Sequence, residues 1–267
     1  MEKGMLYILK EQNNFCMSFV VCSLEGHVLV IDGGEKEDAT YLTTFLEGKV
    51  VDAWILTHAH PDHICAVNQI LTEGKVSIKQ FIYHFPPTDF VYKNEPMYAP
   101  YQEEFLRLSS ETKAQHICPK AGDILTYGSL KIHFLMTSDT DWMHPVLNNH
   151  SLVFRIDSPH HRAMFLGDLE PEGGDRFMKI TCGNPELLQA DIVQTAHHGH
   201  MSIDRSIYEI IKPKIAFWCT PQWLYDESAD LIKPRMYGTR MTRKWLEELG
   251  IIENYPSYKG TFGIQFD

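Results

Sequence analysis

Residues 57–63, Thr-His-Ala-His-Pro-Asp-His, place three imidazoles and a carboxylate on seven positions, directly after the apolar run Val-Val-Asp-Ala-Trp-Ile-Leu and directly before a stretch with helical spacing. So many metal-seeking donors on one tight loop require a fold that brings a strand end and a helix start to a common ion. His58 and His60, alternate residues at a strand end, point the same way and can grip one divalent ion, while Asp62 and His63 at the helix start can grip a second. Zinc is the first expectation, and manganese and iron accept the same donors. Two such ions a few ångströms apart activate a shared water molecule.

Later strand ends supply what this loop lacks. The apolar run ending Phe165-Leu166-Gly167-Asp168 presents Asp168 beside a glycine that permits close approach, and Asp168 is expected to bridge both ions. Residues 192–196 lead into His197-His198-Gly199, and one of these two histidines is expected to complete the second metal site; the spacing leaves open which. Asp32, in Ile31-Asp32-Gly33-Gly34, reads either as a buried carboxylate that orients a metal-binding histidine from behind or as a helix cap. His200 is a candidate substrate contact, and His144, His160 and His161 fall in loops expected to face solvent.

Strands are expected over residues 5–10, 15–22, 27–31, 50–56 and 80–85, with helices over 38–46 and 64–72, the latter ended by Gly74. Residues 86–100 hold four prolines and three aromatics, too proline-broken for a regular element, and read as a lid over the site or a plain surface loop. A helix over 101–112 and a hairpin over 124–136 follow. Further strands fall at 151–156, 163–166, 192–196 and 214–219, with helices near 175–181, 204–211 and 239–249. Strands before and after central helices, without a Rossmann glycine fingerprint, favour two sheets with helices outside them in one domain spanning 1–267.

The chain has 267 residues, 44% of them hydrophobic, enough for a sizeable core. Its formal net charge of −11 argues against a generalised nucleic-acid surface, although metal ions can supply positive charge for a local phosphate site. No apolar run of membrane-spanning length and no signal-peptide start are found, so a cytoplasmic protein with no membrane partner is expected. The six cysteines form no CxxC pair and are expected as free thiols.

The chain resembles the metallo-β-lactamase superfamily, whose His-x-His-x-Asp-His loop matches His58, His60, Asp62 and His63, with Asp32-Gly33-Gly34, Gly167-Asp168 and His197-His198-Gly199 in the family's order. Within it, Asn148-Asn149-His150-Ser151-Leu152-Val153 together with the later motifs is similar to the hydrolase domain of bacterial competence DNA-uptake channels, here without channel-forming segments. The resemblance implies an α/β (α+β) fold, a four-layer αββα sandwich, with cleavage of a phosphodiester or related phosphoester in a small-molecule or nucleic-acid substrate. Where most members place a third histidine for the first metal, this chain offers His150, with an asparagine or water as the alternative. In the implied mechanism Asp62 also orients the nucleophile, and whichever of His197 and His198 stays free of metal delivers a proton. Phe85, Phe90, Tyr92, Tyr98 and Tyr101 either stack on a substrate or pack the core, and Trp142, Trp218 and Trp223 line either a pocket or the core. Competing readings are hydrolysis of another ester (lactone, thioester, phosphorylcholine ester or β-lactam), a di-iron redox centre, and a catalytically silent sensor module. The redox reading lacks the flavin partner domain and an acidic ligand in the first histidine pair.

Overall fold

Val28–Asp32 shows how the sequence builds the sandwich: all five of its residues are buried, and period-2 alternation sends Leu29 and Ile31 to one face and Val28 and Val30 to the other. A strand covered on both faces has to lie inside a layered structure. The computed structural model describes residues 3–138, 144–227 and 237–267. Two seven-stranded sheets pack face to face. In order across the first run Phe262–Gln265, Met5–Ile8, Ser18–Cys22, Val28–Asp32, Ala53–Ile55, Gln80–Ile82 and Gln115–Ile117. Across the second run Glu253–Pro256, Ile215–Trp218, Ile192–Gln194, Arg162–Phe165, Val153–Asp157, Leu130–Met136 and Ile124–Tyr127.

Three apolar cores follow from this alternation. Between the sheets lie Phe19, Leu29, Ile31, Ile55, Phe134, Phe154, Phe165 and Phe217. Helices Ala39–Phe45, Pro61–Glu73 and Ala99–Ser110 cover the outer face of the first sheet through Leu42, Ile64, Val67, Ile70 and Phe105, packed against Val30 and Trp54. Helices Pro171–Thr181, Arg205–Ile211 and Thr239–Glu248 cover the second through Phe177, Ile207, Tyr208 and Leu246, packed against Met164, Val193 and Trp218. At roughly 1.5–3 kcal/mol for each large apolar side chain buried, these cores dominate the stabilisation. The layers are αββα.

Each sheet joins an antiparallel half to a parallel half. Val28–Asp32, Ala53–Ile55 and Gln80–Ile82 run parallel, as do Arg162–Phe165, Ile192–Gln194 and Ile215–Trp218. The carboxyl ends of parallel strands are where open α/β sheets bind ligands, and every candidate donor except His150 follows such an end.

Several elements differ from the sequence reading. The strand expected over 50–56 divides at Asp52, whose carboxylate accepts from Val28 N and Lys79 Nζ; Val50–Val51 pairs with Ser77–Ile78 in a small separate sheet. Residues 86–100 are not irregular: Thr88–Asn94 is a helix, and Ala99–Ser110 begins inside the proline-rich stretch. Two of the four prolines sit at helix starts, Pro87 as a cap and Pro100 in the first turn, where no amide hydrogen is needed. No cysteine forms a disulfide among the described residues. Among the same residues no helix is long and apolar enough to cross a membrane.

Candidate metal centre

The loop after Ala53–Ile55 is pinned before it reaches its histidines: Leu56 N donates to Ile82 O at 2.9 Å, and Thr57 O accepts from Leu152 N at 2.9 Å. His60, in extended conformation, caps helix Pro61–Glu73, so Pro61 stands at its first position and Asp62 and His63 lie in its first turn. Asp32, at the end of Val28–Asp32, is fully buried and accepts from Thr57 N at 2.8 Å, Thr57 Oγ1 at 2.7 Å and His63 Nδ1 at 2.9 Å. Of the two readings for Asp32, the position behind a histidine is the one occupied.

Asp62, His63, Asp168 and His198 each offer a ligand atom, and these atoms all lie within 4.8 Å of one another. His198 Nε2 stands 2.8 Å from Asp62 Oδ2 and 3.2 Å from Asp168 Oδ2; His63 Nε2 stands 3.4 Å from Asp168 Oδ2. The adjacent pair is equally close: His58 Nε2 and His60 Nδ1 are 3.1 Å apart, and the His58 ring lies 4.0 Å from that of His63. Two ring nitrogens at such a distance share either a proton or a cation. His63 Nε2 and Asp168 Oδ1 are buried without a hydrogen-bond partner among the described residues, and buried polar atoms left so cost about 1–3 kcal/mol each unless something else meets them. These donors, all imidazole nitrogen and carboxylate oxygen, fit divalent cations.

Backbone geometry turns the paired histidines to opposite sides. His197 and His198 have φ of 46° and 55°, and Gly199 has φ of 86°. This left-handed run turns His198 inward, where Nδ1 donates to Cys219 O at 2.7 Å and Nε2 joins the quartet. His197 turns outward, its Nδ1 2.7 Å from Glu170 Oε1 and its Nε2 3.9 Å from Asp168 Oδ2.

Burial disfavours charge on all these groups, and the outcome differs across the site. Burial and the neighbouring His63 hold His58 well below the ordinary histidine value, and burial also lowers His60. For His63 burial acts downward, but Asp168, Asp32 and Asp62 outweigh it and hold the ring well above the ordinary value; His198, in a similar conflict with Asp168 and Asp62, is pushed up to about 10. Asp62 and Asp168 are held low despite burial by the same two imidazoles.

His150 is buried, and its Nδ1 donates to Val146 O at 2.6 Å; it is not among the four clustered residues. Asn149 Oδ1 accepts from Glu170 N at 3.0 Å and Gly173 N at 2.9 Å, capping helix Pro171–Thr181. His200, which burial lowers to about 2, lies between the rings of His197 and Tyr237. His144 and His160 are exposed, whereas His161 is half-buried against Phe266. Of the five aromatics, Tyr98 packs its ring 4.3 Å from His60 and Phe90 lies near His150, while Phe85 and Tyr101 join the core and Tyr92 faces outward to Glu103. Trp218 is core, Trp223 packs on Phe15, which lies against His198, and Trp142 falls outside the described residues.

Organising residues absent from the sequence reading are Thr57, Ser151 and Gln194. Ser151 Oγ accepts from Asp168 N at 3.1 Å and lies 3.4 Å from His58 Nδ1. The Gln194 amide accepts from Leu166 N and Gly167 N and donates to Gly167 O and Thr195 O, joining the Asp168 loop to the His198 loop. A lone amide in an otherwise apolar strand was the available signal for Gln194.

Residues 13–214 match the family described as the metallo-beta-lactamase superfamily. ComE operon protein 3 of Bacillus subtilis (strain 168) is 32% identical over 185 residues, covering 68% of this chain and 21% of the relative, so the chain spans about a fifth of that protein's length. Among solved structures, the metallo-beta-lactamase fold protein YhfI from Bacillus subtilis is similar at TM-score 0.63 and 17% identity, over 98% of this chain and 99% of that one. CmlA, a diiron beta-hydroxylase from Streptomyces venezuelae, is similar at TM-score 0.59 and 11% identity, over 99% of this chain and 54% of that one. At these identities the two structures share the fold.

Proposed function

The chain belongs to the metallo-β-lactamase superfamily, and from that premise we propose that it is a binuclear metal-dependent hydrolase acting on a phosphodiester or related phosphoester. The observation that carries the proposal is the meeting of two donor sets on one floor, the His58–His60 pair and the Asp62–His63–Asp168–His198 quartet, with His58 and His63 in contact. His58 and His60 would hold one ion and Asp62, His63 and His198 the other. Asp168 would bridge them, one oxygen facing the quartet and the other buried without a partner. When bound, two divalent cations generate a nucleophile from water at neutral pH and offset the charge of a phosphoester, which a chain of net charge −11 otherwise repels.

The protein's own groups orient and shield. Asp32 and the Cys219 carbonyl fix the His63 and His198 rings, and Gln194 fixes the two loops that carry Asp168 and His198. His197, held by Glu170 and outside the quartet, would deliver a proton to a leaving group; the sequence reading had allowed this role to either histidine. The phosphoester class is supported by the likeness to the competence hydrolase domain, which agrees with the match to ComE operon protein 3. Zinc is the proposed metal. A diiron protein with this fold makes iron the alternative to test.

The test measures metal stoichiometry and hydrolysis of bis-p-nitrophenyl phosphate for the wild type and Asp168→Ala, with zinc, manganese or iron supplied. Two ions in the wild type and a roughly 10³-fold loss of turnover in the variant are expected, the size of several kcal/mol of metal-assisted stabilisation. Two ions without phosphodiester turnover would transfer the assignment to carboxylic esters and lactones. A wild type that retains no metal would overturn the hydrolase reading.

A further inference from the structure

Three of the four histidines proposed as ligands are held from behind, at the ring nitrogen turned away from the shared donors. His63 Nδ1 meets Asp32, His198 Nδ1 meets the Cys219 carbonyl, and His58 Nδ1 lies within 3.4 Å of the Thr57 and Ser151 hydroxyls. His60 breaks the pattern. Its Nδ1 faces His58 Nε2, so in the neutral, ligating tautomer its hydrogen sits on Nε2. That Nε2 is buried and makes no hydrogen bond among the described residues. The charged group opposite it is Glu95, whose Oε2 stands 3.9 Å away, about an ångström beyond hydrogen-bond length.

We propose that Glu95 is the outer carboxylate of the first metal half, a positioning residue that takes the His60 Nε2–H as Asp32 takes the His63 Nδ1–H. This rests on the binuclear reading above. Glu95 is itself anchored: Oε1 accepts from Val146 N at 2.6 Å and Oε2 from Leu147 N at 3.2 Å, while its backbone amide closes helix Thr88–Asn94. Tyr98, three residues on, braces the His60 ring with its own, 4.3 Å away and tilted by 66°. The proline-rich segment therefore faces His60 with both the Glu95 carboxylate and the Tyr98 ring. The same carboxylate holds the start of the short helix Val146–Asn149, next to His150.

The test titrates metal-free wild type and Glu95→Gln with zinc against a chromophoric chelator, with His60→Ala identifying which binding step belongs to the first half. Glutamine keeps the shape and one oxygen, which can still accept from Val146 N, but it removes the charge and turns its NH2 group toward Leu147 N and His60 Nε2. The expected result is a roughly 10- to 100-fold weaker first-half step, the usual size of an outer-partner loss, with the other step unchanged. Equal affinities in wild type and variant would overturn the inference and leave the binuclear reading intact. Weakening of both steps alike, with a lowered melting temperature, would make Glu95 a helix cap only and overturn it as well. A wild type that takes up one ion or none would overturn the binuclear reading and this inference together.

Discussion

A carboxylate with no exposed surface carries a desolvation cost that only several donors can offset, and Asp32 has three. Asp32→Asn turns an amide NH2 group toward donors that need an acceptor, so the His63 ring loses its fixed orientation. Zinc affinity of the Asp62–His63–Asp168–His198 half is expected to fall by roughly 10- to 100-fold in equilibrium dialysis, and an unchanged affinity would separate Asp32 from the site. At this scale the sequence disclosed what lies in local order: the four candidate donors of residues 57–63 share one loop, and Asp168 and the His197-His198 pair end apolar strands. It could not disclose which of two adjacent histidines turns inward, since that depends on backbone angles. Nor could it disclose Glu95 or Ser151, single polar residues brought close only by the fold.

The turn Ala196–Gly199 shows how an element can be specified by one residue. Gly199 holds φ of 86°, and a Cβ built there would clash with Cζ3 and Cε3 of the fully buried Trp218. Gly199→Ala therefore combines a left-handed penalty with overpacking, and a loss of about 2–4 kcal/mol in urea unfolding is expected. A loss below about 1 kcal/mol would mean that the Trp218 side moves freely. Long elements with clear periodicity, such as Pro61–Glu73 and Val28–Asp32, were legible because burial imposes their pattern. Gln115–Ile117 was not, being a three-residue edge strand without a fully buried residue. Thr88–Asn94 was missed because prolines were read as breakers, although at helix starts they cost no hydrogen bond.

The whole molecule closes around donors drawn from both of its halves: Asp62 and His63 lie beyond the first sheet, Asp168 and His198 beyond the second. A half-buried acid away from the quartet is expected to make its stability depend on pH. Burial pushes the Glu11 carboxyl up to about 7 from an ordinary 4.5. The folded protein thus keeps a proton that the unfolded chain has already released, so between about pH 4.5 and 7 stability falls as pH rises. In metal-free melts at pH 5 and 7, Glu11→Gln is expected to flatten that fall, and an identical pH dependence in both proteins would exclude Glu11 as its source. Two sheets with outer helices were legible from the order of strands and helices. The partnership of distant strands was not, because register across more than 250 residues leaves no local trace. In that partnership Met5 lies opposite Gln265, and Phe266 N donates to Gly4 O at 2.8 Å. A short peptide could therefore join residues 4 and 266 without disturbing either sheet, and the chain could instead be opened at the exposed Pro159-His160 turn, leaving a circularly permuted protein with its metal donors in the same three-dimensional order.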